Sequence, residues 1–206
     1  MKVAIIGAGN VGKALGTSLT RAGHDVTITA STPESARAAA AEIGARPGTS
    51  NAAAVDAAEV VILAVPYAAA GDEVAEEIAD AATGRVVVDA TNPIKPDFSG
   101  LATDTSAAEE LQALLPSAAV VKAFNTIFAA NQADPSVDGE PVDGFVAGDD
   151  ADAKQKVISL VQSMGMRPLD VGPLTSARAL EGMAFINIGL NAANGWGWTS
   201  AWRLER

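Results

Sequence analysis

Cysteine is absent from the 206-residue sequence, and the only histidine is His24. Without cysteine there is no disulfide scaffold, iron–sulfur cluster or thiol nucleophile, and one histidine is too few for a histidine-based metal site. Acidic residues (25) outnumber basic ones (14), and no basic cluster is present that would neutralise the phosphates of a nucleic acid or of an anionic membrane. We therefore expect no metal, nucleic-acid or membrane partner, and chemistry that a cofactor carries.

Long hydrophobic runs are also missing. No apolar stretch reaches membrane-spanning length without a charge, a glycine or a proline, and the segment before Gly7 is too short for the core of a signal peptide. The sequence therefore predicts a soluble, cytoplasmic protein. Hydrophobic residues make up 49% of the chain but aromatic residues only 4%, which indicates one core built mainly from aliphatic side chains.

Short segments rich in valine and isoleucine alternate with alanine-rich helical segments. This pattern predicts an α/β fold with a doubly wound, mostly parallel sheet. The predicted strands are Lys2–Ile6, Asp25–Ala30, Val60–Ala64, Arg85–Asp89, Ala118–Phe124, Gly144–Ala147 and Arg167–Val171. The predicted helices are Val11–Ala22, Pro33–Ile43, Ala68–Ala82, Ala107–Leu115, Ala151–Met164 and Ser176–Asn194. We expect one domain over residues 1–206, with a core of 1–173 and a carboxyl-terminal helix and tail of 174–206. The segment Ala130–Asp143 is predicted as a surface loop.

A glycine motif of the form G-x-G-x-x-G follows the first predicted strand and opens the first predicted helix. In that context Gly7 permits a tight turn, Gly9 lets a diphosphate approach the backbone, and Gly12 allows close packing of helix and strand. The amides around Asn10 and Val11 would face the phosphates at the helix start. The motif predicts a dinucleotide site of the Rossmann type; the alternative is an ordinary glycine-rich turn.

The end of the second strand bears on the choice of dinucleotide. Folds that select NAD usually place an acidic residue there, and this sequence has none. The hydroxyls of Thr29, Ser31 and Thr32 would accept a 2′-phosphate, with Arg37 one helical turn further on. We therefore favour NADP(H), with NAD(H) as the less favoured choice. Thr32 has an alternative role as a helix cap before Pro33.

Three further loops follow strands and meet at the carboxyl edge of a parallel sheet, where ligands bind. They carry amide, hydroxyl or proline groups at Val65 and Pro66, at Asn92 and Pro93, and at Phe124, Asn125 and Thr126. Tyr67 and Lys122 are weak candidates for a proton donor. Lys122 has two alternative roles, which are to neutralise cofactor charge and to pair with Asp89.

The last predicted helix is apolar on all sides except for one stripe of asparagines. Such a helix needs cover on every face, which predicts a homo-oligomer, most simply a dimer formed through this helix. Asn187, Asn191 and Asn194 are spaced to share one face. We expect Asn187 to face the acceptor pocket; the alternative is that the asparagines satisfy backbone groups at a subunit contact.

Taken together, these motifs resemble the family of coenzyme F(420)-dependent NADP oxidoreductases. The matching segments are Val3–Gly12, Val61–Pro66, Asp89–Pro93, Val121–Ile127 and Gly172–Glu181, followed by the glycine-rich ending Asn194–Trp198. The resemblance implies hydride transfer between C4 of a nicotinamide and C5 of a deazaflavin, with coenzyme F(420) as co-substrate and no catalytic side chain. It implies diphosphate binding by Gly7, Gly9, Asn10, Val11 and Gly12. It places Val65, Pro66, Asn92 and Pro93 beside the nicotinamide, and Phe124, Asn125 and Thr126 on the acceptor side.

This chain departs from the family pattern after the second strand. Family members that bind NADP commonly have Ser-Arg there, where this chain has Ala30, Ser31 and Thr32. Two other functions stay open. One is an NAD(P)H-dependent reductase of a carbonyl, an imine or a flavin, and the other is a redox sensor that binds the dinucleotide without turnover.

Overall fold

One sheet of eight strands forms the centre of the molecule, and the computed structural model describes residues 1–205 apart from the side chain of Asp72. The strand order is β10-β9-β6-β5-β4-β1-β2-β3, and every neighbouring pair is parallel except β6 with β9. The strands are β1 (Lys2–Ile6), β2 (Asp25–Thr29), β3 (Arg46–Pro47), β4 (Val60–Leu63), β5 (Val86–Asp89), β6 (Ala119–Ala123), β9 (Asp143–Gly148) and β10 (Arg167–Asp170). Strands β7 (Ser136–Val137) and β8 (Glu140–Pro141) form a separate hairpin. The predicted α/β class with a mostly parallel, doubly wound sheet is confirmed.

Helices cover both faces of this sheet. They are α1 (Asn10–Arg21), α2 (Pro33–Ile43), α3 (Asn51–Asp56), α4 (Tyr67–Ala69), α5 (Ala75–Ile78), α6 (Ala107–Leu114), α7 (Ala129–Ala133), α8 (Ala151–Ser163) and α9 (Ala177–Asn194). One aliphatic core lies under α1, α2 and α8, and a second lies under α3, α5 and α6. The central strands are buried on both sides, which is why β4 and β5 read as continuous apolar runs. Of the helices described, none is long and apolar enough to cross a bilayer.

The predicted helix Ala68–Ala82 is interrupted. Its first turn is α4, a π-helical turn follows over Ala70–Val74, and α5 ends at Ile78. The predicted surface loop Ala130–Asp143 is also wrong in part, because it contains most of α7 and the β7–β8 hairpin. The short elements β3 and α3 were not predicted, since a two-residue strand and a six-residue helix are too short for a periodic signal.

Helix α9 differs from an ordinary surface helix, because half of its buried residues are polar and large apolar side chains are exposed. Its buried face carries Glu181, Asn187 and Asn191, whereas Ile186 and Leu190 are 53% and 42% exposed. The tail after α9 returns over the molecule and is tied down at Leu204, whose amide donates to the buried carboxylate of Asp143 at 2.6 Å. Asn187 and Asn191 of the asparagine stripe therefore face inward, Asn194 is exposed at the end of the helix, and Ile186 and Leu190 face outward.

Candidate functional site

The glycine-rich turn between β1 and α1 has the geometry that its sequence predicts. Gly7 has a φ of +111°, and a Cβ there would overlap the backbone carbonyl that follows β4. A Cβ on Gly12 would overlap the carbonyl oxygen of Gly7. Gly9 differs, because nothing lies within 4 Å of the place its Cβ would take. The space beside Gly9 is therefore open at the start of α1, where helix-terminal backbone amides can bind an anion.

A cavity of about 780 Å³ opens beside this turn, and we call it the glycine-loop cavity. It is lined by Gly7–Gly9, by Thr29 and Ser31 at the end of β2, and by Val65 and Pro66 after β4. The volume falls within the usual range for small-molecule sites. It lies where the strand order reverses between β1 and β4, which is the position at which doubly wound sheets bind nucleotides.

Of the four residues predicted to bind a 2′-phosphate, Thr32 and Arg37 do not line this cavity, and neither do Asn10, Val11 and Gly12 of the predicted diphosphate set. The hydroxyl of Thr32 accepts the backbone N–H of Ser35 at 3.1 Å and so caps α2, which agrees with its alternative role. The guanidinium of Arg37 pairs with the carboxylate of Glu34 at 2.6 Å on the exposed side of the same helix. The geometry thus separates Thr32 and Arg37 from Ser31, although the sequence places them close together.

A second cavity, of about 190 Å³, lies on the other side of the first turn of α1; we call it the Phe124 cavity. It gathers all four residues predicted for the acceptor side, which are Phe124, Asn125, Thr126 and Asn187. Val11 and Asn92 also line it. The predicted neighbour Pro93 is buried but does not line either cavity.

The wall of the Phe124 cavity is fixed by side-chain amides. Asn92 donates to the backbone oxygen of Asn125 at 2.9 Å, and Asn125 donates back to the side-chain oxygen of Asn92 at 3.0 Å. Phe124 is buried with a φ of +67°, an unusual conformation for a residue with a side chain. Sequence reasoning missed Gln132, which is buried and donates from its amide nitrogen to the carbonyls of Phe124 and Ile127 at 3.1 and 3.0 Å. Those two bonds hold the Phe124 turn in place.

Asn187 links this cavity to the tail. The hydroxyl of Ser200 donates to the Asn187 side-chain oxygen at 2.7 Å and accepts from the Asn191 amide at 2.6 Å. Asn131 donates to the carbonyl of Thr199 at 2.8 Å. Asn187 and Asn191 therefore satisfy groups of the same chain, and Asn187 also lines the Phe124 cavity.

Lys122 is fully buried in an ion cluster and lines neither cavity. Its ammonium donates to Asp89 at 2.8 Å, to Glu181 at 2.7 Å and to the carbonyl of Thr91 at 2.7 Å. The pairing with Asp89 was one predicted alternative and follows from their opposite positions on β6 and β5. Burial raises the pKa of the Glu181 carboxyl, against the opposing effect of the Lys122 charge. The placement contradicts a role for Lys122 as proton donor or in neutralising cofactor charge.

Tyr67, the other weak candidate for a proton donor, also lies elsewhere. Its hydroxyl donates to Glu110 at 2.5 Å, and its ring lines a separate cavity of about 240 Å³ between α4 and α6. Glu110 also accepts the hydroxyl of Thr103. Among the described side chains, which leave out Asp72 and Arg206, no group of three or more histidine or acidic residues is arranged to hold a metal ion.

Part of the chain matches the profile of a known family, and most of the chain is similar to a known protein. The profile of a family described as "NADP oxidoreductase coenzyme F(420)-dependent" matches residues 2–93, which include the glycine loop. The rat protein metalloreductase STEAP3 is 35% identical over 184 residues, covering 87% of this chain and 36% of its own length. This chain therefore spans about a third of the length of that relative.

Two solved structures resemble the whole fold. A protein from an Arthrobacter species, described as a candidate F(420)-dependent NADP reductase, superposes with a TM-score of 0.89 at 30% identity, with 100% of both chains covered. A Sinorhizobium meliloti protein of undescribed function superposes with a TM-score of 0.77 at 35% identity, covering 86% of this chain and 88% of its own.

Proposed function

Because the chain belongs to the coenzyme F(420)-dependent NADP oxidoreductase family, an NADP-dependent group of enzymes, we propose that it transfers a hydride between a bound nicotinamide and a deazaflavin-type acceptor. The supporting observation is the position of the two cavities. Gly7–Gly9, which lead into α1, line one cavity and Val11, in the first turn of α1, lines the other, so both border the start of this helix. A dinucleotide whose diphosphate lies on that turn would extend its adenosine into the glycine-loop cavity and its nicotinamide toward the Phe124 cavity.

The chain's own residues bind and align the reactants. Amides of the glycine loop bind the diphosphate, and the Asn92–Asn125 pair borders the ring pocket. Phe124 and Ile127 present apolar surface that keeps water from the reacting face. A bound deazaflavin would supply the C5 that takes up the hydride. At about 190 Å³ the Phe124 cavity is small for a drug-sized ligand. It would therefore hold one end of the paired nicotinamide and deazaflavin, and the rest of the two ligands would lie outside it.

The polar groups around the Phe124 cavity favour this acceptor over a carbonyl or an imine. Its described lining contains amides and one hydroxyl but no ionisable side chain. Reduction of a carbonyl needs a positioned proton donor. Tyr67 lines a different cavity and Lys122 is enclosed in its ion cluster, so neither candidate donor reaches the Phe124 cavity.

The test is to mix the full chain with NADPH or NADH and coenzyme F(420) and to follow the deazaflavin absorbance. We expect bleaching that requires the dinucleotide. A variant with Gly9→Ala is the matched control, because its Cβ would occupy the space that opens at Gly9 without overlapping the fold. Binding of a dinucleotide without any bleaching would contradict the proposed acceptor and would favour the sensor function.

A second candidate acceptor is a flavin that takes up the hydride and passes its two electrons, one at a time, to two ferric ions. The 35% identity to the rat metalloreductase favours it, over the 87% of this chain that the match covers. The same assay with ferric citrate, with and without added flavin, separates the two acceptors. Reduction of iron at a rate above that of coenzyme F(420) would favour this second candidate.

We also propose that the apolar outer face of α9 pairs with a second copy of the chain. Ile186 and Leu190 lie on that face, and Trp196 and Trp198 are 47% and 46% exposed just beyond it. Burial of such side chains stabilises association. Light scattering after size-exclusion chromatography should give a dimer, and Ile186→Glu should shift it to monomer. A monomer of the unmodified chain at micromolar concentration would refute the pairing.

A further inference from the structure

The charges that line the glycine-loop cavity are all negative. Among its described lining residues the ionisable ones are Glu73 and Glu77, and none is a cation. A 2′-phosphate brings further negative charge into this space, and sites that hold one usually supply a bidentate arginine. The diphosphate that NAD and NADP share fits the glycine loop, whereas the additional phosphate of NADP has no cation in this cavity.

Two hydrogen bonds connect one of these carboxylates to the end of β2, where Rossmann folds bind the ribose. The hydroxyl of Thr29 donates to the side-chain oxygen of Asn51 at 2.6 Å. The amide nitrogen of Asn51 donates to Glu77 at 2.6 Å. Asn51 therefore holds the Glu77 carboxylate in the cavity. Its side-chain oxygen also accepts the hydrogen bond of the Thr29 hydroxyl, which is then not available to a phosphate.

The cation nearest in sequence to Ser31 is Arg37, which does not line the glycine-loop cavity. Arg37 pairs with Glu34, and both side chains are mostly exposed. Ser31 and Ser35 line the cavity and can donate from their hydroxyls, but hydroxyls alone do not offset the charge of a phosphate beside two carboxylates.

We propose that Glu77, held by Asn51, makes this cavity selective for a ribose with a free 2′-hydroxyl, so that the chain binds NADH at least as tightly as NADPH. The carboxylate comes from α5 and replaces the acidic residue that NAD-selective folds place at the end of β2. This selection rests on the proposed dinucleotide function and runs against the NADP preference predicted from the hydroxyls at the end of β2. Glu77 both accepts hydrogen bonds from ribose hydroxyls and repels a phosphate.

The experiment is isothermal titration calorimetry of NADH and NADPH with the full chain at low and at high ionic strength. We expect NADPH to bind no more tightly than NADH at low salt. Its relative affinity should rise with salt, because screening weakens the repulsion. Glu77→Gln should raise the affinity for NADPH relative to NADH by about 2- to 5-fold, the range for partly exposed charges.

Two further variants sharpen the test. Ser31→Arg adds the missing cation and should move the preference toward NADPH by about 10-fold. Glu76→Gln removes a charge from the same helix but not from the cavity lining, so the ratio of the two affinities should stay unchanged. Binding of NADPH about 10-fold tighter than NADH by the unmodified chain would overturn the selection while leaving dinucleotide binding intact. Absence of heat with both dinucleotides would refute the proposed function as well.

Discussion

The glycine-loop cavity and the Phe124 cavity both border the start of α1, yet they are built in different ways. The glycine-loop side depends on backbone shape: a positive φ at Gly7, a close approach at Gly12 and open space at Gly9. The Phe124 side depends on amide side chains that hold a turn in place: Asn92 bonds to Asn125 from 33 residues away, and Gln132 bonds back to Phe124 from eight residues away. A local sequence motif specifies the backbone shape, whereas the amide network forms only when the chain has folded.

This difference predicts separate consequences for binding and for acceptor chemistry. Changes at the glycine loop should abolish dinucleotide binding and therefore all activity. Changes in the amide network should alter the acceptor constants and leave dinucleotide binding in place.

The largest expected effect is at the glycines. Gly12→Ala forces a Cβ onto the Gly7 carbonyl, so the turn must deform at a cost of about 1–3 kcal/mol, and dinucleotide affinity should fall at least about 100-fold. Gly9→Ala has room in the fold, so its free energy of unfolding should change by less than about 0.5 kcal/mol although its affinity also falls. Urea unfolding and calorimetry measure both. Equal stability losses in the two variants would contradict the different roles of these glycines.

The next effect concerns Lys122, which joins the acceptor side to α9. Lys122→Met leaves Asp89 and Glu181 buried without their cation, and such a loss typically costs about 3–5 kcal/mol. Dinucleotide affinity of the folded protein should not change. Lys156→Met, on the exposed side of α8, is the control and should leave urea unfolding unaffected. Weaker dinucleotide binding without loss of stability would instead support the ligand-binding role predicted from the sequence.

The same cluster should make stability depend on pH. Because burial raises the pKa of Glu181 above its ordinary value of 4.5, its contribution is fully present below that value and is lost as pH rises through the raised pKa. Each pKa unit of difference between the folded and the unfolded state corresponds to about 1.4 kcal/mol of unfolding free energy. The free energy of unfolding of the unmodified chain should therefore fall relative to that of Glu181→Gln as pH increases from 4 upward. For the exposed control Glu76→Gln, the curve of unfolding free energy against pH should run parallel to that of the unmodified chain. Parallel curves for Glu181→Gln would contradict this assignment.

The sequence predicts the fold better than it predicts the acceptor side. Seven of the eight sheet strands overlap predicted strands, and the predicted cap Thr32, which accepts the backbone N–H of Ser35 at 3.1 Å, marks the start of α2. The loops after β4, β5 and β6 were predicted because parallel strands end at one edge. Gln132, Asn51 and Glu77 were missed, because each acts through a contact that only the folded chain brings together.

Helix α9 shows why hydropathy alone misleads here. Its composition indicates an apolar helix covered on all sides, yet Asn187 and Asn191 face inward and Ile186 faces outward. The inward amides have partners because the tail supplies Ser200. A pattern within the helix cannot reveal a partner that comes from the tail beyond it.

The smallest expected effect tests whether Asn187 serves the acceptor or only the tail. Asn187→Leu removes an amide from the Phe124 cavity and breaks its bond to Ser200, so the KM for the acceptor should rise about 3- to 10-fold, corresponding to one hydrogen bond. Ser200→Ala breaks the same bond but keeps the amide in the cavity, so its effect should be smaller. Asn194→Leu, on the exposed end of the same helix, should change nothing. Dinucleotide affinity should stay constant in all three, since the glycine loop is untouched. If steady-state kinetics give the same acceptor KM for Asn187→Leu and Ser200→Ala, Asn187 only secures the tail, and the acceptor is bound by the Phe124 turn alone.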